Sequence, residues 1–110
     1  MQQSLIKALG IIDCAIFKRL SKNSFELLHF DGDWLSGLMP EATDKQAFDY
    51  AQQSAFLDDF FIDAEDFWQA NEEGQIQSGV WSEQTSSGLL RLEAIAAVSN
   101  NECFLVINNL

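Results

Sequence analysis

With 110 residues, 47% of them hydrophobic and 12% aromatic, the chain has enough apolar material for one hydrophobic core and too little length for a second domain. It needs no disulfide or structural metal to close that core. Seventeen Asp and Glu against six Lys and Arg leave a net charge of −11, which repels phosphate backbones and anionic lipid headgroups and so excludes nucleic acid and membrane surfaces as partners.

At the N-terminus Leu5 and Ile6 are followed at once by Lys7 and Gly10, so neither a signal-peptide core nor a membrane span of about 20 residues is expected. Residues 1–10 read as a helical cap in which Leu5, Ile6 and Leu9 share one side; so short a helix is marginal unless it docks, and these three would form a dimer contact. Residues 11–30 read as a hairpin, with strand-favouring runs at 11–20 and 24–30 and turn chemistry at Ser21-Lys22-Asn23. Cys14 here and Cys103 further on both lie in apolar, strand-like runs, where a thiol behaves as a small hydrophobe. A reduced pair of this kind predicts a cytoplasmic protein.

Residues 33–71 read as helices. Asp33 is placed to cap a short helix through Trp34, Leu35, Leu38 and Met39 that Pro40 stops. A second piece is predicted at about 44–53, with Ala47, Phe48 and Ala51 inward and Thr43 or Asp44 as its cap. The strongest periodicity is Leu57, Phe60, Phe61, Ala64, Phe67, Trp68, one continuous apolar helix face. Asp58, Asp59, Asp63, Glu65 and Asp66 are assigned to the opposite side, with Asp63 a further cap if the helix breaks at Ile62. Residues 71–74 end it.

Residues 75–110 read as a three-stranded meander at 75–84, 89–98 and 103–108, with turns at Ser86-Ser87-Gly88 and Asn100-Asn101. Leu90, Leu92, Ala94, Ala96 and Val98 alternate with Arg91 and Glu93, giving one buried face. Phe104-Leu105-Val106-Ile107 is apolar on both faces and predicts a central strand. The order strand, strand, helices, three strands indicates a single α+β domain over residues 1–110 rather than repeating βαβ units.

The wording Phe56-Leu57-Asp58-Asp59-Phe60, Asp63-Ala64-Glu65-Asp66-Phe67-Trp68, Ser78-Gly79-Val80-Trp81-Ser82-Glu83, Leu92-Glu93-Ala94 and Leu105-Val106-Ile107-Asn108-Asn109-Leu110 resembles the N-terminal PAS-like domains of bacterial signalling proteins, which precede histidine kinase, cyclase or phosphodiesterase effectors. The resemblance implies a PAS-like fold, a five-stranded antiparallel sheet with helices inserted between strands 2 and 3 and packed on one face. It also implies a non-catalytic sensory or regulatory input domain, as in two-component systems, that receives a small-molecule or partner signal, pairs as a homodimer and passes the signal to a C-terminal effector.

No residue set points to catalysis, a cofactor or a metal. His29 is the only histidine, which rules out a multi-histidine site, and it stands at a strand end rather than on a helix as a haem ligand of this fold would. Neither Cys14 nor Cys103 sits in the Asn-Cys-Arg setting of a flavin photoreceptor. The carboxylates from Asp58 to Asp66 follow helical spacing, not a calcium loop. The aromatic residues either fill a core or line an apolar cavity between sheet and helices. A small apolar ligand in such a cavity would meet Trp34, Phe48, Phe60, Phe67 and Trp81, with His29 as a polar contact. Two alternatives stand beside the sensor: a ligand-free dimerisation scaffold, and a small cone-shaped α+β enzyme using a buried carboxylate as base.

Overall fold

Alternation of apolar and polar residues dictates most of the structure. A computed structural model describes residues 13–43 and 46–110; the predicted cap with its dimer contact, Leu5, Ile6 and Leu9, lies outside the described residues. Six strands, β1 (Asp13–Ser21), β2 (Ser24–Phe30), β3 (Ala47–Asp49), β4 (Gly74–Thr85), β5 (Gly88–Ser99) and β6 (Glu102–Asn109), form one sheet in the order β3-β2-β1-β6-β5-β4. Every neighbouring pair is antiparallel. Two helices interrupt them: a single turn, α1 (Leu35–Leu38), and the 16-residue α2 (Ala55–Ala70).

The predicted five-stranded, PAS-like α+β fold with several helices laid on one face is therefore corrected: the sheet has six strands, and among the described residues strand outweighs helix and only one helix exceeds a single turn. The difference arises at the predicted second helix. Ala47, Phe48 and Asp49 instead extend along β2, pairing Glu26 with Ala47, Phe25 with Phe48 and Ser24 with Asp49. The open edge of β2 offers unpaired backbone groups, and there Phe48 sets its ring 5.9 Å from Phe17 and 6.2 Å from Phe25. That tertiary gain outweighs a modest helical propensity.

The helical insert is shorter than residues 33–71 for a second reason. Asp33 does not cap α1; the cap position is Trp34, which makes no side-chain capping bond. In α2 Ser54 is the cap, its Oγ accepting the Leu57 N–H at 3.2 Å, so one nucleation point serves the whole helix and no break occurs at Ile62. Asn71 closes it in the left-handed conformation (φ 55°), its N–H bonded to Trp68 O. Leu57, Phe60, Phe61, Ala64 and Trp68 are buried against the sheet, a contribution of about 1.5–3 kcal/mol for each large side chain.

On the sheet's covered face Ala15, Phe17, Leu92, Ala94, Ala96, Leu105 and Ile107 are fully buried. β6 lies between β1 and β5, the position its doubly apolar sequence requires. Asn100 and Asn101, both at positive φ, turn β5 into β6, the conformation of a two-residue hairpin loop that follows the strand twist. In β4 a bulge at Ser78-Gly79 stands opposite Ala94; Gly79 takes φ 82°, and the Ser78 Oγ accepts the Ala94 N–H at 2.9 Å, a donor the bulge would otherwise orphan. Among the described residues no helix is long and apolar enough to cross a membrane.

Candidate functional site

The six side chains expected around one cavity are dispersed. Phe48 packs on Phe17 and Phe25 at the sheet edge. Trp34 is buried ahead of α1, and Phe67 is half-buried against the core. Trp81, on β4, stacks on Phe56 with ring centroids 4.3 Å apart. Between α2 and the sheet the rings touch one another rather than a void: Phe25 has its centroid 5.5 Å from Phe61, 5.9 Å from Trp68 and 6.3 Å from Phe17. Of four half-open surface clefts of 340–420 Å³, only one is bordered by any of the six, namely Phe60.

The largest departure from the sequence reading is a charge under the helix. Glu65, assigned above to the solvated side of α2, is only 7% exposed. The helix sets it one turn after Phe61 and one before Trp68, and opposite it β1 brings up Arg19, which follows Ala15 and Phe17 on the inward parity. Arg19 Nε donates to both Glu65 oxygens at 3.0 and 2.8 Å and Nη2 donates to Oε1 at 2.8 Å, while the guanidinium carbon lies 5.6 Å from the centre of the Trp68 ring. Periodicity carried this signal: both charges fall on inward positions of their elements. Glu65 is the one buried carboxylate among the described residues, and with Arg19 on both oxygens it is not free to act as a base.

Beside this pair, a 420 Å³ cleft is lined by Lys22, Tyr50, Asp58, Phe61, Glu65 and Asp66 among others. Tyr50 is its fixed wall: its hydroxyl donates to Ser54 O at 3.1 Å and accepts from Ser54 N at 3.0 Å. Burial pushes the Tyr50 phenol well above its ordinary value; its bond to the Ser54 backbone opposes the shift and Asp58 and Glu41 add to it. Ser54 also donates from Oγ to Glu83 Oε1 at 2.5 Å, and the same oxygen accepts Trp81 Nε1 at 3.0 Å, so one hydroxyl caps α2 and ties it to β4.

The sheet face opposite α2, which neither described helix covers, is apolar at its centre. Register places Ile16 of β1 opposite Val106 of β6, and Val106 opposite Ile95 of β5; a second row sets Phe104 opposite Ala97. Ile16, Ile95, Ala97 and Val106 each alternate with buried neighbours, and Phe104 precedes the fully buried Leu105, so all five project away from α2. Lys18, Glu26, Glu93 and Asn108 surround these residues on the same face, with Lys18 3.8 Å from Glu102. Phe104 and Val106 belong to the run whose sequence is apolar on both faces; Ile16, Ile95 and Ala97 join them only through strand register, which the period of a single strand does not give.

His29 belongs to this outer face, not to the interior. An extra residue, Leu28, lies between the register pairs Phe17–Leu27 and Ile16–His29, and this bulge turns His29 outward. Its Nε2 stands 3.2 Å from Asp31 Oδ1. Cys14 lies across from Asp31, whose N–H donates to Cys14 O at 2.9 Å. Burial, then the carboxylates of Asp31 and Asp13, push the Cys14 thiol up. No family model, curated protein or solved structure matches the chain.

Proposed function

We propose that this chain is a non-catalytic regulatory module that works in the cytoplasm by pairing with a second copy of itself through the outer sheet face, and that it receives a signal and passes it to an effector. One observation carries the reading: the in-register row Ile16, Val106, Ile95, reinforced by Phe104 and Ala97, is half-buried inside a polar rim, and neither described helix packs on it. An antiparallel sheet with one face on the core normally turns a polar face to water, and an apolar centre with a polar rim is the anatomy of an interface.

A second copy is the occupant that fits. Five strands at about 4.8 Å and eight residues at about 3.3 Å give a face of roughly 600 Å², near the roughly 800 Å² per partner of a stable interface. The row is neutral, so two molecules each carrying −11 meet where their charge is least. Against an enzyme stands the engaged state of Glu65; against an enclosed apolar ligand stands the contact between the aromatic rings. If the signal is a small molecule, the cleft at Tyr50, lined by Asp58 and Asp66 beside the neutralised Arg19–Glu65 pair and by Lys22, offers it a polar site.

Sedimentation equilibrium tests the pairing. The wild-type chain is expected to dimerise, and Val106→Glu or Ile95→Glu to leave a folded monomer, whereas Ile62→Glu, on the solvent side of α2 at 65% exposure, leaves the dimer intact. A monomeric wild type, or a dimer indifferent to both outer-face charges, overturns the reading.

A further inference from the structure

We infer that Cys14, His29 and Asp31 form a binding site for a transition-metal dication, with zinc the fitting ion. The sequence scatters these donors over 18 positions, and the fold gathers them. A strand period of two sets His29 and Asp31 on one face of the sheet, the Leu28 bulge makes that the outer face, and antiparallel pairing brings Cys14 opposite Asp31. One ligand atom from each, a sulfur, an imidazole nitrogen and a carboxylate oxygen, lies within 4.8 Å of the others.

The geometry suits one ion. Two nitrogen or oxygen ligands at about 2.0–2.1 Å on a tetrahedral centre stand about 3.3 Å apart; His29 Nε2 and Asp31 Oδ1 stand 3.2 Å apart. Cys14 Sγ lies within 4.8 Å of a ligand atom of both residues. The donor set selects the metal: calcium and magnesium take oxygen ligands, whereas thiolate with imidazole and one carboxylate suits zinc and its neighbours in the first transition row. On binding, the thiol proton passes to solvent and the metal–sulfur bond takes its place. His29 is exposed in the single chain, so an entry path is open before pairing, and three protein ligands leave the fourth position to water or to an incoming group. The surrounding field helps, since a chain of net charge −11 concentrates cations at its surface.

Cobalt(II) and zinc chlorides, added to the purified chain with a non-thiol reductant, test the site. Cobalt is expected to produce a thiolate-to-metal charge-transfer band in the near ultraviolet and the strong visible bands of a tetrahedral ion, saturating at one per chain and bleached by zinc. Cys14→Ser abolishes the charge-transfer band; His29→Ala and Asp31→Asn weaken zinc about tenfold or more; Cys103→Ser changes nothing. Circular dichroism establishes that each variant is folded. Absence of the band, its survival in Cys14→Ser, or zinc affinity unmoved by His29→Ala and Asp31→Asn overturns the assignment. The spectrum reports the metal site whether or not the chain dimerises, so its failure and that of the pairing are told apart.

Discussion

Among the described residues, Arg19 and Glu65 form the one ion pair that ties α2 to the sheet, joined by three hydrogen bonds of 2.8–3.0 Å across 46 residues of sequence. The pair is closed off by Trp68 above the guanidinium. Removing one partner strands the other charge in a site where neither side chain is more than 16% exposed. Arg19→Met and Glu65→Gln are each expected to cost about 3 kcal/mol in urea unfolding, and Arg19→Met combined with Glu65→Leu to recover most of that loss. Two additive losses would show that the pair is not coupled.

Ser54 serves two elements with one hydroxyl. Ser54→Ala removes the cap on Leu57 N and the bond to Glu83, and leaves Glu83 Oε1 with Trp81 alone. The expected loss is about 2 kcal/mol, read as a lower thermal midpoint. Ser54→Thr keeps both bonds and recovers at least half of it; equal losses in the two variants would contradict this account.

Tyr50 is the only tyrosine of the chain, so tyrosinate absorbance reports it alone. Its folded pKa is raised above the unfolded value of about 10, which means the folded state holds the proton more tightly. The stabilisation from this group is therefore fully present below about pH 10 and is lost as the pH climbs above it. In the native protein no tyrosinate signal is expected until the chain unfolds, whereas in urea the phenol ionises near its ordinary value. A native titration at the unfolded value would refute the buried placement.

β3 is held by three register pairs and one ring. Phe48→Ala is expected to cost about 2 kcal/mol, below the range for a fully buried phenylalanine because the residue is half-exposed. It should also raise hydrogen exchange at the β2 amides that pair with Ala47–Asp49 before exchange rises in β5 or β6. Uniform acceleration across the sheet would mean that β3 is not an independent edge.

What was legible in the sequence is the part governed by local period. The hairpin turn at Asn23, the meander turns, the central β6 and the apolar side of α2 all follow from alternation and turn chemistry. β3 was not legible, because three residues carry no period and their strand state comes from pairing with β2. Glu65 faces inward against the usual preference of a carboxylate for water, and its spacing from Phe61 and Trp68 is the signal that puts it on the inward stripe. The gathering of Cys14, His29 and Asp31 depends on a one-residue bulge, which alternation alone does not announce.

The seam between β1 and β6 has a consequence for how the molecule is made. Asp13 pairs with Asn109 and Ile16 with Val106, so the middle of the sheet is assembled from the first and last of its six strands, far apart in sequence. During synthesis the inner edge of the β1–β2 hairpin stays unpaired until β6 has left the ribosome. Pairings of such long sequence separation fold slowly and leave open edges meanwhile. Truncation before β6 would split the sheet into two fragments with apolar faces, a substrate for chaperones rather than a smaller domain.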